Sequence, residues 1–279
     1  MNDTGSFAQY VVIGNPIAHS KSPEIQTRFA ADTAQDLRYG RLLAPLNGFA
    51  AAVQQFIAQG GKGANVTVPF KLQAYALASS LTARAKAAGA VNTLKFDGAD
   101  ILGDNTDGIG LVTDIARNAG YDLAGKKILL LGAGGAARGA MLPLLQSAPL
   151  QLVIANRTPA KADELIQKFQ PCAQGCALTA CAFADLQQPF DLVINATSAS
   201  LQADVPPIAP QVFGAATLAY DMMYGRQPTP FMQFAAAQGA QVRDGLGMLV
   251  EQAAESFFVW RGVRPRTDAV FAALRAQLS

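Results

Sequence analysis

The sequence predicts an α/β protein with two domains, each organised around a parallel sheet. Short apolar runs alternate with helix-like segments, the apolar runs fall into two series, and 51% of the 279 residues are hydrophobic. Strands that alternate with helices are typical of parallel sheets covered by helices. A chain of this length and apolar content can bury one large core or two ordinary ones.

The two series of apolar runs define the predicted strands. The first series comprises residues 10–13, 39–43, 64–68 and 93–96, and the second comprises 127–131, 152–155, 192–195 and 218–221. Helices are predicted at 50–58, 135–146 and 161–169, and the chain after Gly245 is helical only, at 248–260 and 267–278. Because these last two helices have no strand of their own, we expect them to cover the first sheet.

This arrangement predicts an N-terminal α/β substrate domain, residues 1–107 with 245–279, and a Rossmann-type doubly wound cofactor domain, residues 108–244. We expect the active site in the cleft between them, and glycines such as Gly108, Gly110 and Gly245 lie near the crossings and could act as hinges.

Composition excludes several classes of protein. The net charge is +2 and no block of Lys or Arg stands out, which argues against nucleic-acid binding. No apolar stretch reaches the length of a membrane span, and the first six residues lack the features of a secretory signal, so a cytoplasmic protein is expected. Cys172, Cys176 and Cys181 fit no common zinc spacing, and the single histidine, His19, is far from them, so no metal site is predicted.

A glycine-rich turn follows the predicted strand 127–131. It reads Gly132, Ala133, Gly134, Gly135, Ala136 and Ala137, a G-x-G-x-x-A pattern with a strand before it and a helix after it. In dinucleotide-binding folds the glycines permit a tight turn and a close approach to the pyrophosphate, which binds at the start of the helix. The pattern therefore predicts a dinucleotide site.

The stretch "IANRTPAK", residues 154–161, begins 22 residues after Gly132, where an acidic residue would normally bind a ribose hydroxyl. The chain has Asn156, Arg157, Thr158 and Lys161 there instead. Arg157 can bind phosphate oxygens with its forked guanidinium and stack on an adenine, and Thr158 can cap the helix that Pro159 begins. These residues predict NADP(H) rather than NAD(H) as the cofactor.

The predicted first domain has polar positions of its own. Within "GNPIAHSKSPE", residues 14–24, Ser22 is a natural N-cap before Pro23, and Ser20 stands beside it. Two hydroxyls and free backbone N–H groups make a seat for a small carboxylate. Further along, Lys71 follows a predicted strand, Asn92 lies in "AGAVNTL", and Asp107 lies in "GDNTDGIG".

Taken together and in order, these motifs resemble the shikimate dehydrogenase family over nearly the whole chain. The matching stretches are GNPIAHSKSP, NVTVPFK, AGAVNTL, GDNTDG, GAGGAARG, NRTPAKA, INATS, YDMMY, TPF and DGLGMLVEQ. The resemblance implies NADP-dependent, reversible reduction of 3-dehydroshikimate to shikimate, a step in the biosynthesis of aromatic amino acids. It leaves open whether the protein is a monomer or a homodimer.

The resemblance also implies roles for individual residues. Ser20 and Ser22 would hold the substrate carboxylate, and Lys71 would be the catalytic acid/base, paired with Asp107. The substrate ring and its hydroxyls would be bound by Thr67, Asn92, Asp107, Tyr224 and Gln252. The cofactor would be bound by Gly132, Ala133, Gly134, Gly135, Ala136, Asn156, Arg157, Thr158 and Lys161, with Met222 and Gly245 lining the nicotinamide.

Two positions depart from the family pattern, because Gln26 stands where relatives often have His and Lys161 where many have Arg. An NAD-dependent quinate/shikimate dehydrogenase is the nearest alternative, but it predicts an acidic residue near Asn156. A glutamyl-tRNA reductase would need an N-terminal nucleophilic cysteine, whereas all three cysteines follow residue 170. A cofactor-sensing protein without activity would be expected to lack Lys71 or Asp107.

Overall fold

The computed structural model describes residues 7–202 and 204–278. The first six residues, on which the prediction about a secretory signal rests, lie outside this range. The chain divides into two compact units: the first extends to Thr106 and takes up Gln252–Ala273, and the second comprises Asp107–Glu251 and the residues from Leu274. The domain bounds given above, 1–107 with 245–279 and 108–244, stay a prediction.

The first unit contains a six-stranded sheet. In chain order its elements are β1 Ala8–Gly14, α1 Ser22–Asp32, β2 Leu37–Leu43, α2 Phe49–Ala58, β3 Gly61–Val66, α3 Lys71–Leu77, β4 Ser80–Leu81, α4 Ala83–Ala88, β5 Thr93–Asp97 and β6 Asp100–Asp104. The strand order is β2-β1-β3-β5-β6-β4. The sheet is mixed, because β5 runs antiparallel to both β3 and β6. The predicted parallel pairing holds for β2, β1 and β3, and the hairpin at residues 98–99 lets β5 and β6 pair without a crossover helix.

The second unit contains a six-stranded parallel sheet. Its elements are α5 Asp107–Thr113, a π-helical segment Asp114–Asn118, β7 Lys127–Leu131, α6 Gly135–Gln146, β8 Gln151–Ala155, α7 Pro159–Phe169, β9 Ala177–Cys181, β10 Phe190–Asn195, β11 Phe213–Asp221, α8 Pro230–Ala237 and β12 Gln241–Asp244. The order β12-β11-β10-β7-β8-β9 reverses between β7 and β10. Every adjacent pair is parallel. Ligands of such sheets bind at the carboxyl ends of the strands beside that reversal.

The last two helices are α9 Leu246–Arg261 and α10 Asp268–Leu278. The predicted pair of C-terminal helices thus exists. Each has residues in both units, since the unit boundaries fall after Glu251 and Ala273. In the first unit, Trp260 of α9 donates its indole N–H to the Leu94 carbonyl at 2.9 Å. In the second, Arg275 of α10 binds the Asp244 carboxylate at 2.8 and 2.5 Å.

Each sheet has a hydrophobic core against its helices. In the first unit Val11, Ile13 and Val66 pack with Phe49 and Phe56 of α2. In the second, Leu129 and Leu131 of β7 belong to a cluster with Val153, Val193 and Phe231 of α8. The near-continuous apolar run of β7 is typical of a strand with helices on both faces. Among the described residues, no helix is long and apolar enough to cross a membrane.

Candidate active site

A cleft of about 920 Å³ lies in the second unit at the carboxyl ends of β7 and β8. It is lined by Gly132, Ala133, Gly134, Gly135, Arg138, Asn156, Arg157, Thr158, Lys161, Glu164, Leu165, Lys168, Phe183, Ala196, Thr197, Ser198, Ala199, Asp204, Val205, Pro206 and Pro207. Eight of the residues that the sequence assigns to a cofactor are in this set. Ala136, Met222 and Gly245, also assigned to it, are not among the described residues that line the cleft.

The glycines of the turn after β7 have two different roles. Gly132 has a φ of +103°, and a Cβ there would lie 3.2 Å from Thr197 Cγ2, so the fold itself requires glycine. Gly134 and Gly135 are exposed, and a Cβ on either would meet nothing within 4 Å. The protein therefore leaves open space above the first turn of α6, where backbone N–H groups have no helical acceptor. A pyrophosphate fits that space.

The segment after β8 presents polar and basic groups to the same cleft. The Asn156 side chain donates to the Thr158 carbonyl at 2.9 Å and so shapes the turn into α7. Thr158 is the N-cap residue of α7 and Pro159 is the first helical residue, but the Thr158 side chain makes no capping hydrogen bond. The predicted cap was therefore right in position and wrong in bonding. The Thr158 hydroxyl is left for a ligand.

The cleft is also lined by two basic residues, Arg138 and Lys168, that the sequence analysis did not identify. Lys161, Glu164, Leu165 and Lys168 occur at helical spacing and form one face of α7. Arg138 of α6 also lines the cleft, and burial together with the charge of Arg138 lowers the pKa of Lys168. The spacing i, i+3, i+4, i+7 from Lys161 was visible in the sequence and could have identified Lys168.

Met222 and Gly245 lie against each other at the carboxyl ends of β11 and β12. A Cβ on Gly245 would overlap the Met222 carbonyl, and the Gly245 N–H donates to the Met223 carbonyl at 3.0 Å. Close packing therefore explains this glycine, which the sequence suggested as a hinge. Tyr224 follows in the same loop, and burial, with the nearby Asp244 charge, raises the pKa of its phenol.

The loop 15–21 and the start of α1 bring Ser20 and Ser22 together in the first unit. The Ser20 hydroxyl donates to the Ser22 hydroxyl at 3.2 Å and accepts the Ser22 N–H at 3.3 Å. Ser22 is the first residue of α1, and the N-cap position is held by Lys21, which makes no side-chain cap. The prediction of Ser22 as N-cap was therefore wrong, because the helix starts one residue earlier than the Ser-Pro pattern suggests.

Asn92 and Gln252 also lie together in the first unit. Asn92 is buried and its amide N–H₂ donates to the Thr106 hydroxyl at 3.0 Å and to Gln252 Oε1 at 3.4 Å. Its Oδ1 accepts the Thr106 N–H at 2.9 Å, which fixes the orientation of the amide. Thr67 follows β3, and its N–H donates to the Ile13 carbonyl at 2.9 Å, which holds it at the end of β1.

Lys71 and Asp107 each begin a short helix. Lys71 is the first residue of α3, after the fully buried Phe70, and its carbonyl accepts the Val91 N–H at 3.0 Å. This bond ties Lys71 to the segment that carries Asn92. Asp107 begins α5 in the second unit. A Cβ on Gly108 would overlap the Gly139 carbonyl, so α5 packs closely on α6 beside the glycine-rich turn.

Comparison with known proteins identifies the family. Residues 12–94 match a family model described as the shikimate dehydrogenase substrate binding domain, residues 114–203 match shikimate / quinate 5-dehydrogenase, and residues 245–275 match the shikimate 5'-dehydrogenase C-terminal domain. The chain is 69% identical to the shikimate dehydrogenase (NADP(+)) of Herminiimonas arsenicoxydans over 97% of its own length and 98% of the relative. The chain belongs to the shikimate dehydrogenase family.

Two solved structures show the same fold. The Ael1 enzyme of Pseudomonas putida is 50% identical, with a TM-score of 0.93 over 98% of this chain and 100% of the other. The shikimate 5-dehydrogenase of Thermus thermophilus, solved in complex with NADP(H) and shikimate, is 29% identical, with a TM-score of 0.85 over 97% and 99% of the two chains. The predicted fold class and the predicted resemblance to the shikimate dehydrogenase family are thereby confirmed.

Within this family member, a buried polar cluster links the predicted substrate residues. Asn65 donates its amide N–H₂ to the Ser256 hydroxyl at 2.9 Å and to Thr93 Oγ1 at 3.2 Å, and it accepts the Tyr39 hydroxyl at 2.7 Å. Thr93 in turn donates to Asn92 Oδ1 at 2.9 Å. Sequence reasoning missed these residues because each, taken alone, is an ordinary polar residue on a strand or helix. Only the register of β2, β3 and β5 and the packing of Ser256, in the second half of α9, bring them together.

Proposed function

We propose that the protein catalyses the reversible, NADP-dependent reduction of 3-dehydroshikimate to shikimate. The observation that carries this proposal is the basic cleft after β7 and β8, where Arg157 and Lys161 stand in place of a ribose-binding carboxylate. The Herminiimonas arsenicoxydans relative, which is named shikimate dehydrogenase (NADP(+)), supports it over nearly the full length of both chains.

The cleft would hold NADPH through groups of different chemistry. The space left by Gly134 and Gly135 would take the pyrophosphate on the first N–H groups of α6. Arg157, Thr158 and Lys161 would bind the adenosine 2'-phosphate, with Asn156 shaping the turn that presents them. Ala136, Met222 and Gly245 are proposed to contact the rest of the cofactor. Bound NADPH supplies the hydride for the carbonyl carbon.

The protein's own residues would bind the substrate and supply the proton. Ser20 and Ser22 would hold the carboxylate, while Asn92 and Gln252, already joined by a hydrogen bond, would bind ring hydroxyls with Thr67, Asp107 and Tyr224. As the hydride reaches the carbonyl carbon, negative charge develops on the oxygen. Lys71 Nζ would give that oxygen a proton, and Asp107 would be its partner. In the reverse direction Lys71 takes the proton back.

These assignments extend to the organisation of the chain. The proposed substrate domain is residues 1–107 with 245–279, and the proposed cofactor domain is 108–244. The match of residues 12–94 to a substrate binding domain supports the first of these. We also propose a cytoplasmic monomer or homodimer that acts on a small molecule and does not bind nucleic acid.

The deciding experiment is a direct assay. Purified protein mixed with NADPH and 3-dehydroshikimate should oxidise the NADPH, followed by its absorbance, and shikimate with NADP⁺ should run the reaction backwards. NADH in place of NADPH and quinate in place of shikimate are the matched comparisons, because a quinate/shikimate dehydrogenase would turn over both. Absence of NADPH oxidation above the rate without 3-dehydroshikimate would overturn the proposal.

A further inference from the structure

Three motifs of the second unit meet at one buried carboxylate. The motifs are INATS (residues 194–198), YDMMY (220–224) and TPF (229–231), and the carboxylate is that of Asp221, the last residue of β11. Asp221 is fully buried, and among the described residues no Lys or Arg forms an ion pair with it. A carboxylate in such a place is stable only when several donors bind it. Its donors therefore show what it holds.

Asp221 accepts three hydrogen bonds from two different parts of the chain. The Ser200 and Thr229 hydroxyls donate to its Oδ2 at 2.7 and 2.6 Å. The Met223 N–H donates to its Oδ1 at 3.0 Å. Ser200 follows β10, whereas Met223 and Thr229 lie between β11 and α8. One carboxylate thus connects the segment after β10 with the loop after β11.

The cleft segment, residues 196–200, forms one wall of the cofactor cleft, and four of its five residues line that cleft. Its side chains are tied to β10: the Thr197 hydroxyl donates to Asn195 Oδ1 at 2.7 Å, and the Asn195 amide donates to Ser200 Oγ at 3.2 Å. The single hydroxyl proton of Ser200 goes to Asp221. Ser200 therefore holds the segment in place and has no proton left for a ligand.

The cleft segment also packs on the glycine-rich turn. A Cβ on Gly132 would lie 3.2 Å from Thr197 Cγ2 and 3.3 Å from the Ala196 carbonyl, so the segment cannot come closer to the turn. The bond from Ser200 to Asp221 keeps it from moving away. The width of the cleft, in which the adenosine and pyrophosphate half of NADP would bind, therefore depends on this bond.

The loop after β11 carries Met222, which is proposed to line the nicotinamide. Near the start of this loop the Met223 N–H is bound to Asp221. At its end Thr229 is the N-cap of α8: its Oγ1 accepts the Met232 N–H at 3.2 Å and gives its own proton to Asp221. Both ends of the loop are thus bound to the same carboxylate, which fixes the turn that carries Met222.

We propose that Asp221 is a positioning residue for the cofactor, an inference that rests on the proposed function. Through Ser200 it fixes the wall that faces the adenosine and pyrophosphate half. Through the Met223 N–H it fixes the turn that brings Met222 to the nicotinamide. Asp221 is buried and acts through these groups, not by contact with NADP.

The adenosine side is tested with Ser200→Ala, which removes one donor and leaves Asp221 two others. Kd should rise about 5-fold both for NADPH and for adenosine 2',5'-bisphosphate, a fragment without nicotinamide, because one hydrogen bond is lost. The kcat should stay within about twofold. Calorimetric titration measures both Kd values. Ser147→Ala is the matched control, because its hydroxyl donates to the Pro143 carbonyl at 3.0 Å at the end of α6, and both Kd values should stay unchanged.

The nicotinamide side is tested with Asp221→Asn, which keeps the size of the side chain. The new amide oxygen can accept from Ser200 and Thr229, but the amide N–H₂ then faces the Met223 N–H, which is also a donor. The turn must shift, so kcat should fall about 10-fold because the nicotinamide is misplaced for hydride transfer. Kd for adenosine 2',5'-bisphosphate should stay within about twofold. A merely structural role would lower the melting temperature of both variants without this division between Kd and kcat.

Three results would overturn the role of Asp221: an unchanged Kd for the fragment in Ser200→Ala, an equal rise in Ser147→Ala, or an unchanged kcat in folded Asp221→Asn. If Asp221→Asn does not fold, the two Kd values of Ser200→Ala decide. If the wild type binds NADPH and the fragment but does not reduce 3-dehydroshikimate, the proposed function fails, and the Kd values still test Asp221. The two failures are therefore distinguishable.

Discussion

The guanidinium of Arg243 holds the carboxylate of Asp114 through two hydrogen bonds, from Nε to Oδ2 at 2.8 Å and from Nη2 to Oδ1 at 2.6 Å. Asp114 is fully buried, and it also accepts the Tyr220 hydroxyl at 2.8 Å. A Cβ on Gly247 would overlap this carboxylate. One aspartate therefore joins β11, β12 and the first turn of α9, and Gly245 lies between the last two of these elements.

Replacing Asp114 with Ala should lower the free energy of unfolding by about 3 kcal/mol, because Arg243 and Tyr220 lose a buried partner. Chemical denaturation followed by circular dichroism measures this. Asp268→Ala is the control: its side chain is 78% exposed and lies 4.0 Å from Arg266, so the change should stay within about 0.5 kcal/mol. Similar losses in both variants would contradict the proposed importance of the buried pair.

Tyr220 makes stability depend on alkaline pH. Burial, and then the charge of Asp114, raise the pKa of Tyr220 well above its ordinary value. Above about pH 10 the unfolded chain releases this proton and the folded chain keeps it, so stability present at lower pH is lost as pH rises. Tyr220→Phe should remove up to about 1.4 kcal/mol per pH unit of that slope. The free energy of unfolding is measured by denaturation between about pH 9 and 11 in the wild type and in Tyr220→Phe. If it falls equally steeply with pH in both proteins, Tyr220 does not cause the dependence.

The sequence predicted the elements whose apolar residues form a clear run or period. The strands that it missed lack such a pattern. Helix α6 and strand β7 were predicted with their observed bounds. Four strands were missed: β4 and β12, which are short, and β6 and β9, which have at most two large apolar residues each. Their partners, rather than their own side chains, determine that they are extended, and such pairing is not visible along one chain.

The candidate site was predictable where a local motif sets the geometry. Two local motifs each follow a strand and lead into a helix: residues 132–135 and residues 157–161. Their place in the cleft therefore follows from the sequence alone. The cluster around Asn65 could not be found this way, because its contacts to Tyr39 and Ser256 depend on the pairing of β1 with β2 and β3. The strand register carries that information.

Two glycines of the turn after β7 should respond differently to alanine. Gly134→Ala should leave the melting temperature unchanged, because a Cβ there meets nothing within 4 Å, and should weaken NADPH binding by filling the pyrophosphate space. Gly132→Ala should lower stability by about 1–3 kcal/mol, since alanine is strained at a φ of +103°. Thermal unfolding and NADPH titration of both variants separate the two effects. Equal loss of stability would show that Gly134 serves only the fold.

Arg157 should determine the choice of cofactor. Arg157→Asp replaces a phosphate-binding fork with a carboxylate that repels a 2'-phosphate and can bond a ribose hydroxyl. KM for NADPH should rise at least about 100-fold, corresponding to the loss of a charge-assisted contact and added repulsion, while KM for NADH falls or stays the same. Lys168→Gln, on the same face of the cleft but two turns along α7, should have a smaller effect. Unchanged NADPH affinity in Arg157→Asp would place the 2'-phosphate elsewhere.

Lys71 should matter for the chemical step more than for binding. Lys71→Ala removes the proposed proton donor, and general acid catalysis typically contributes about 10²–10⁴-fold, so kcat should fall by that factor with KM for shikimate changed far less. Lys86→Ala, in α4 of the same unit, controls for loss of one lysine charge. A pH profile adds a second readout, because the wild-type dependence on a proton-transferring group should disappear from the residual activity. Near-normal turnover in Lys71→Ala would overturn the assignment and direct attention to Asp107 as the group that exchanges the proton.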